Sequence, residues 1–313
     1  MTTSKSSRRG DVYAQVTESI VAQLEQGTRP WVQPWNAEHL AGRITRPLRA
    51  NGQAYRGINV VMLWMAAAMQ GYAAPIWMTY RQAAELGAQV RKGEKGSPVS
   101  YADKFRKSET DSTTGEESER EIFFLKQYTV FNVEQIDGLP AHFHAVAAPQ
   151  LSEMAKREQA EAFFSCLKAD IRHGGNRAFY AVDADFVQMP PFESFRDAEA
   201  YYATLGHECI HWTRHATRLD RDFGRKRWGD EGYAQEELVA EMGAAFLAAD
   251  LGLYLEPRDD HASYVASWLK VLRHDKKAVF IAASHAQKAL DYLHGQQGRG
   301  EAAEAAASLP QAA

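Results

Sequence analysis

The stretch LGHECIHWTRH, residues 205–215, decides the fold class of the second half of the chain. Residues 207–211 have the pattern H-E-x-x-H, with His207 and His211 at its ends. In an α-helix, residues four apart lie on one face about one turn apart, so the two imidazoles can bind the same cation. Glu208 then lies beside the ion, where a carboxylate can act as a general base on water. The stretch therefore predicts a metallopeptidase-type centre on a helix.

A second predicted helix, residues 231–249, offers the third ligand. Glu237 and Glu241 lie one turn apart on it, on a face that apolar residues direct toward a core. Two carboxylates facing a core need a partner, which a metal ion and a ligand histidine would supply. We expect Glu237 to be the ligand and Glu241 to support a histidine, because this order resembles the glutamate-zincin pattern. The reverse order and a merely solvated glutamate face are the alternatives.

His215 is the rival third ligand, because it follows His211 by four residues. Three ligands on one straight helix surround a cation poorly, since the first and the third would lie about 12 Å apart. We therefore assign His215 a supporting role behind the metal. Three protein ligands and an open position are typical of catalytic zinc sites, so zinc is the expected ion and manganese is the alternative.

The first half of the chain is basic and rich in aromatic residues. Residues 41–107 contain eleven Lys or Arg and three Asp or Glu, although the whole chain has a formal net charge of -4. Basic and aromatic side chains together can neutralise phosphates and stack on bases, which favours single-stranded DNA over duplex. No regularly spaced nucleic-acid motif is present, so a peptide-binding or purely structural domain is the alternative. The candidate DNA-binding residues are Trp31, Trp35, Tyr55, Arg56, Trp77, Tyr80, Arg81, Arg91, Lys92, Lys95, Lys104 and Lys107.

A change of composition from Gly138 to Gln150 indicates a domain boundary near residue 148. We expect an α+β protein of two domains. Residues 1–148 form a small mixed α/β domain that binds single-stranded DNA, and residues 149–295 form a mainly helical domain with a small sheet. Residues 296–313, rich in Ala, Gly and Gln, are expected to be a disordered tail.

Apolar spacing and turn residues predict the individual elements. Helices are expected at residues 11–26, 59–69, 79–86 and 152–170, and a long helix carrying the H-E-x-x-H motif is expected from Ser194. Strands are expected at residues 97–105, 121–131 and 178–189, the last as a single edge strand, with 107–120 as an exposed loop.

Composition also limits the location of the protein. No stretch approaches the roughly 18 uninterrupted apolar residues of a membrane span. Cys166 and Cys209 are too few and too far apart for a disulfide framework or a four-cysteine zinc site. We therefore expect a cytoplasmic protein without a membrane partner.

Seven motifs, in this order, carry a resemblance to a known family. They are PWVQPWN (30–36), YRGIN (55–59), WMTYRQ (77–82), RKGEKG (91–96), VFNVEQ (130–135), HECIHWTRHATRLDR (207–221) and YAQEELVAEMGAAFL (233–247). With them the chain resembles the ArdC-type antirestriction proteins of conjugative plasmids, whose N-terminal region is similar to that of TraC-type plasmid primases.

The resemblance implies a single-stranded-DNA-binding domain fused to a zincin-like metallopeptidase domain similar to SprT-type proteases. It also implies a role in protecting incoming plasmid DNA from host restriction. The sequence departs from the family pattern at Arg214, where a glycine is expected. This change leaves the expected metal ligands untouched.

Three functions fit these observations. The first is an antirestriction protein in which DNA binding is the working activity. The second is a DNA-dependent metalloprotease that removes or cleaves DNA-bound proteins, with a host protein as its substrate. The third is a protein that coats single-stranded DNA and whose metal site is only structural. Glu208 separates the last two, because a structural site has no use for a general base.

Overall fold

The computed structural model describes residues 11–31, 45–110, 117–144, 152–224, 230–253 and 262–307, and only the backbone of 102–110, 117–125, 262–263 and 298–307. Its helices are α1 (Val12–Glu25), α2 (Ile58–Gln70), α3 (Tyr80–Glu85), α4 (Glu153–Ser165), α5 (Ala198–Trp212), α6 (Glu231–Leu251), α7 (Ala262–His274) and α8 (Ala278–Ala307). Its strands are β1 (Leu48–Arg49), β2 (Ile76–Met78), β3 (Gln89–Val90), β4 (Ser97–Thr110), β5 (Glu117–Asn132), β6 (Ile136–Asp137), β7 (Asp170–His173), β8 (Phe179–Ala181) and β9 (Phe186–Met189).

The N-terminal half is a four-stranded sheet in the order β1-β2-β5-β4, with a short β3-β6 ladder beside it. β1 and β2 are parallel, and the other neighbours are antiparallel. Helix α2 lies against β4, where the Asn59 side chain bonds both the N–H and the C=O of Ser100. This contact satisfies backbone groups of Ser100, which is buried.

The C-terminal half is mainly helical, with the three-stranded sheet β7-β9-β8. Helix α6 is central, because it packs against α5, α7 and α8. All but a few of its residues are buried, so Glu236, Glu237 and Glu241 lie inside the protein rather than on a solvated face. The chain is therefore an α+β protein with a small mixed half and a larger helical half, as the sequence predicts.

The predicted helices agree with α1, α2 and α3 to within a residue or two, but three other elements differ. The helix predicted over 152–170 ends at Ser165. The motif helix begins after Asp197, whose carboxylate accepts a hydrogen bond from the N–H of Ala200, and not at Ser194. The strand predicted over 178–189 is a hairpin, because a turn containing Asp185 at φ 50° divides it into β8 and β9.

The polar loop predicted over 107–120 is also different. Strands β4 and β5 continue to pair as far as Thr110 and Glu117, and residues 111–116 lie outside the described part of the chain. Backbone pairing needs no apolar side chain, and the register pairs residues of opposite charge such as Arg106 and Glu121. The prediction failed because apolar alternation is the main sequence signal for a strand.

The expected domain boundary near residue 148 lies outside the described residues, as does the tail beyond residue 307. The backbone of residues 296–307 is helical, where the sequence predicted a disordered tail. Alanine, the strongest helix former, is common there, which explains why α8 continues. Among the described residues no helix is long and apolar enough to cross a membrane.

The N-terminal segment, residues 11–31, packs against the C-terminal half. Helix α1 packs on α7, and the Thr17 hydroxyl donates to the carbonyl of Lys276 at 2.8 Å. Trp31 is fully buried in an edge-to-face contact with Trp268, with ring centroids 5.5 Å apart. The two halves therefore share one continuous hydrophobic core.

Candidate metal centre

Helices α5 and α6 bring the candidate metal ligands together. On α5, His207, Glu208 and His211 are all buried. Gly243 of α6 faces Ile210, and a Cβ atom at Gly243 would lie 2.9 Å from that side chain. A glycine is therefore required for the close approach of the two helices.

Glu237 lies between the two histidines. Its Oε2 is 3.6 Å from His207 Nε2, and its Oε1 is 3.5 Å from His211 Nε2. The nearest ligand atoms of the three residues lie within 4.8 Å of one another. With bonds of about 2.0–2.2 Å, neighbouring ligands of a tetrahedral ion are about 3.3 Å apart. A small movement of these side chains would therefore suit a divalent ion.

The other ring nitrogens face two further glutamates. His207 Nδ1 is 3.5 Å from Glu241 Oε1, and His211 Nδ1 is 3.0 Å from Glu236 Oε1. A carboxylate on Nδ1 fixes the tautomer that leaves Nε2 available to a metal. This geometry favours Glu237 over Glu241 as the ligand. Sequence patterns assign no separate role to Glu236, because its partners are far away in the chain.

Two buried arginines hold the supporting carboxylates. Arg221 donates to both oxygens of Glu236, at 2.8 Å each, and to the carbonyl of Ile210 at 2.9 Å. Arg29 Nη1 donates to Glu241 Oε2 at 3.2 Å. Sequence reasoning missed both arginines as part of the site, since no spacing rule links them to the motif helix. The one hint in the sequence is that Arg221 is the last residue of the stretch HWTRHATRLDR, which begins at His211.

The charges of this buried group fit a divalent cation. Glu208, Glu236, Glu237 and Glu241 are all buried carboxyl groups, and the two arginines supply only two positive charges. With neutral histidines and all four carboxyl groups ionised, two negative charges remain, which a divalent cation would neutralise and which protonation of His211 would halve. Buried charge that is not neutralised is costly. The donor set, two imidazoles and a carboxylate, suits zinc or manganese.

The pKa values reflect the same contacts. Burial would raise the pKa of Glu236, but hydrogen bonds from Arg221 and His211 outweigh burial and lower it to about 2. Burial would lower the pKa of His211, but Glu237 and Glu236 raise it to about 10. The two histidines hold the pKa of Glu237 well below its usual range, against the effect of burial. Glu236 and Glu237 are therefore carboxylates.

Cys209 and His215 lie apart from the metal residues. Burial raises the pKa of the Cys209 thiol, whose side chain is fully buried and packs in the core. His215 follows the end of α5, and its Nδ1 is 2.8 Å from the Thr217 hydroxyl. Within the described ranges, His207, His211 and Glu237 form the group that could hold a metal ion. His215 lies beyond the end of α5 at Trp212, so its supporting role stays a prediction.

The structure divides the candidate DNA-binding residues into three sets. Trp31, Tyr55 and Trp77 are buried, which leaves no ring face for a base, so we remove them from the proposed surface. Trp35 and the side chains of Lys104 and Lys107 lie outside the described residues. The exposed candidates are Arg56, Tyr80, Arg81, Arg91, Lys92 and Lys95. Of these, Arg56, Arg81 and Arg91 each face a carboxylate.

The β4–β5 hairpin exposes two aromatic rings that are not among the candidates from the sequence. Tyr101 and Tyr128 are 49% and 39% exposed. Tyr101 lies opposite Lys126, and Val99 lies opposite Tyr128, so these four side chains share one face of the hairpin. We call Tyr101, Lys126 and Tyr128 the hairpin face. It combines two rings and a cation.

Two family models match the chain. A model described as the N-terminal domain of the anti-restriction factor ArdC matches residues 10–131, and one described as a zincin-like metallopeptidase matches residues 158–285. The y4eC protein of Sinorhizobium fredii is 46% identical over 291 residues, covering 92% of this chain and 92% of that protein. The DNA primase TraC of Escherichia coli is 41% identical over 299 residues, covering 90% of this chain and 27% of the primase.

The structure is also similar to crystal structures of the antirestriction protein ArdC from the R388 plasmid. The metal-free form has a TM-score of 0.77 and 47% sequence identity, and the match covers 93% of this chain and 99% of that chain. The Mn(II)-bound form has a TM-score of 0.74 and 45% identity, with 92% and 98% covered.

Proposed function

Because the chain belongs to the ArdC-type family of antirestriction proteins, with an ArdC N-terminal domain and a zincin-like metallopeptidase domain, we propose that it binds single-stranded DNA and protects incoming plasmid DNA from host restriction. The proposal includes a divalent metal site at His207, His211 and Glu237. The observation that carries the metal site is the Glu237 carboxylate, which lies within 3.6 Å of the Nε2 atoms of both histidines.

The metal site is proposed to have the chemistry of a peptidase. A divalent ion bound there would polarise a peptide carbonyl as a Lewis acid. Glu208, next to His207 on α5, would take the proton from the attacking water and pass it to the leaving amine. Glu236 and Glu241 hold the ligand histidines at their Nδ1 atoms. Zinc and manganese both suit this donor set, and ArdC of R388 was crystallised with Mn(II).

DNA binding is proposed for the N-terminal half. Two features support it: the hairpin face, which can stack on bases, and the exposed Lys92 and Lys95, which can neutralise phosphates. The similarity to TraC primases over the whole of this region agrees with a DNA-related role. We expect the protein to work in the cytoplasm of the recipient cell, where incoming plasmid DNA meets host restriction.

A DNA-dependent peptidase that cleaves a host protein is the second candidate. It is favoured by Glu208, since a general base beside a metal would be superfluous in a structural site. In this alternative, protection would need cleavage, whereas in the leading proposal DNA occupancy is enough.

A plasmid-transfer assay into restricting and non-restricting recipients tests the leading proposal. We expect Glu208→Gln to keep protection, because this substitution removes the base but keeps size and polarity. A variant with alanine at Tyr101, Lys126 and Tyr128 should lose protection. Phe179→Ala removes a similarly exposed ring from the other half and serves as the matched control. Loss of protection in Glu208→Gln alone, with full protection in the hairpin-face variant, would establish the peptidase alternative instead.

A further inference from the structure

The carboxylate of Glu241 joins the metal centre to the first segment of the chain. One oxygen lies 3.5 Å from His207 Nδ1, and the other accepts a hydrogen bond from Arg29 at 3.2 Å. Both side chains of the Arg29–Glu241 pair are buried, with 9% and 7% exposed. Arg29 lies within residues 10–131, the part matched by the ArdC N-terminal model, whereas His207 and Glu241 lie in the metallopeptidase part.

Arg29 is fixed in place by its neighbours. Helix α1 packs on α7 before it, and Trp31 packs edge-to-face on Trp268 after it. The Thr17 hydroxyl bonds the backbone of Lys276, between α7 and α8. The guanidinium is therefore held at Glu241 by a packed segment on both sides.

Glu241 needs such a cation to hold the histidine. Its site is buried and also contains Glu208, Glu236 and Glu237. Without Arg29, the negative charge of this buried carboxylate would be poorly compensated, and the side chain would be free to rotate. It would then no longer lie opposite Nδ1 of His207 in a fixed geometry. Residues that orient a metal-binding histidine in this way typically change metal affinity about 10–100-fold when they are removed.

We propose that Arg29 is a positioning residue of the metal centre. Through Glu241 it holds the His207 ring in the orientation that presents Nε2 to the ion, so the N-terminal segment completes a site whose ligands all belong to the C-terminal half. This inference rests on the proposed metal site at His207, His211 and Glu237.

Residues 158–285, the span of the metallopeptidase model, contain every proposed ligand but lack Arg29. Because linkage between two sites is reciprocal, metal binding should also stabilise the packing of the segment that carries Arg29.

The chain offers a matched control for Arg29. Arg46 also comes from the N-terminal half and also makes an ion pair with α6, in this case a partly buried one with both oxygens of Asp250 at 2.7 and 3.0 Å. Asp250 lies at the far end of α6 from Glu237 and contacts His294, not a proposed metal ligand. Arg46→Met therefore removes a similar link between the halves and leaves the metal residues untouched.

The test measures Mn(II) binding to the full chain by the electron paramagnetic resonance signal of free Mn(II). We expect Arg29→Met to weaken binding about tenfold, Arg29→Lys to restore most of the affinity, and Arg46→Met to bind like the wild type. The melting temperature is measured for each variant with and without Mn(II). Arg46→Met should lower the melting temperature equally with and without Mn(II). Arg29→Met should instead reduce the rise in melting temperature that Mn(II) causes.

The outcomes separate the role of Arg29 from the metal site itself. Equal Mn(II) affinity in the wild type and Arg29→Met, with an unchanged metal-dependent rise in melting temperature, would overturn the role of Arg29. That role is also overturned if Arg46→Met weakens Mn(II) binding as much as Arg29→Met, because the effect would then be general destabilisation. A wild-type chain that binds no Mn(II) or Zn(II) would instead remove the metal site on which the inference rests.

Discussion

At the scale of single residues, each glutamate around the histidines has a different partner. Glu237 faces both Nε2 atoms, Glu241 faces Nδ1 of His207, and Glu236 faces Nδ1 of His211. The last two are also bound by Arg29 and Arg221. One glutamate thus faces both Nε2 atoms, where we propose the ion. The other two face the Nδ1 atoms, and each of these two is bound by an arginine.

This division predicts unequal effects of two similar substitutions. Glu237→Gln should weaken Zn(II) or Mn(II) binding most, because it replaces an anionic ligand with a neutral amide. Glu241→Gln should weaken binding about 10–100-fold, since His207 stays a ligand but its anionic acceptor becomes a weaker, neutral one. Competition with a chromophoric chelator gives both affinities. A larger loss in Glu241→Gln than in Glu237→Gln would reverse the two roles.

At the scale of elements, the site depends on how closely α5 and α6 approach. Ile210 lies one residue before His211, and it packs where a Cβ atom at position 243 would be. The approach of these helices therefore sets the distance between the histidines and the glutamates. Nothing in the sequence marks Gly243 for this role, because a glycine inside a helix has no characteristic spacing.

Gly243→Ala should disturb the site without changing any charged group. An added methyl 2.9 Å from Ile210 forces the helices apart, and overpacking of this kind typically costs about 1–3 kcal/mol of stability. We expect a lower free energy of unfolding and weaker metal binding, measured by chemical denaturation and metal titration. Gly295→Ala is the control, because a Cβ atom there meets nothing within 4 Å and alanine favours a helix. A Gly243→Ala chain as stable as the wild type would show that the helices tolerate a wider spacing.

At the scale of the whole molecule, apolar periodicity and short motifs in the sequence were sufficient to predict much of the fold. The helices α1, α2 and α6, and the helical placement of His207 and His211, follow from apolar spacing and a short motif. Contacts between distant residues could not be predicted. Trp31 adjoins basic and proline residues, which suggested a surface, but it packs on Trp268.

The same limit applies to the division into domains. A change of composition near residue 148 suggests two separate units, yet α1 packs on α7, and Arg29 reaches Glu241. Such long-range packing leaves no periodic trace in a single sequence. The hairpin face was missed for a related reason, since exposure on one side of a strand depends on what covers that side.

Metal content tests most directly whether His207, His211 and Glu237 together hold one divalent ion. The full chain is loaded with Zn(II) or Mn(II), freed of loose metal by gel filtration, and analysed by inductively coupled plasma mass spectrometry. We predict about one ion per wild-type chain, as in three-ligand catalytic sites, and almost none in a His207→Ala, His211→Ala double variant. The exposed pair His142→Ala, His144→Ala should keep the wild-type content. A full complement of metal in the His207→Ala, His211→Ala chain would contradict this metal site.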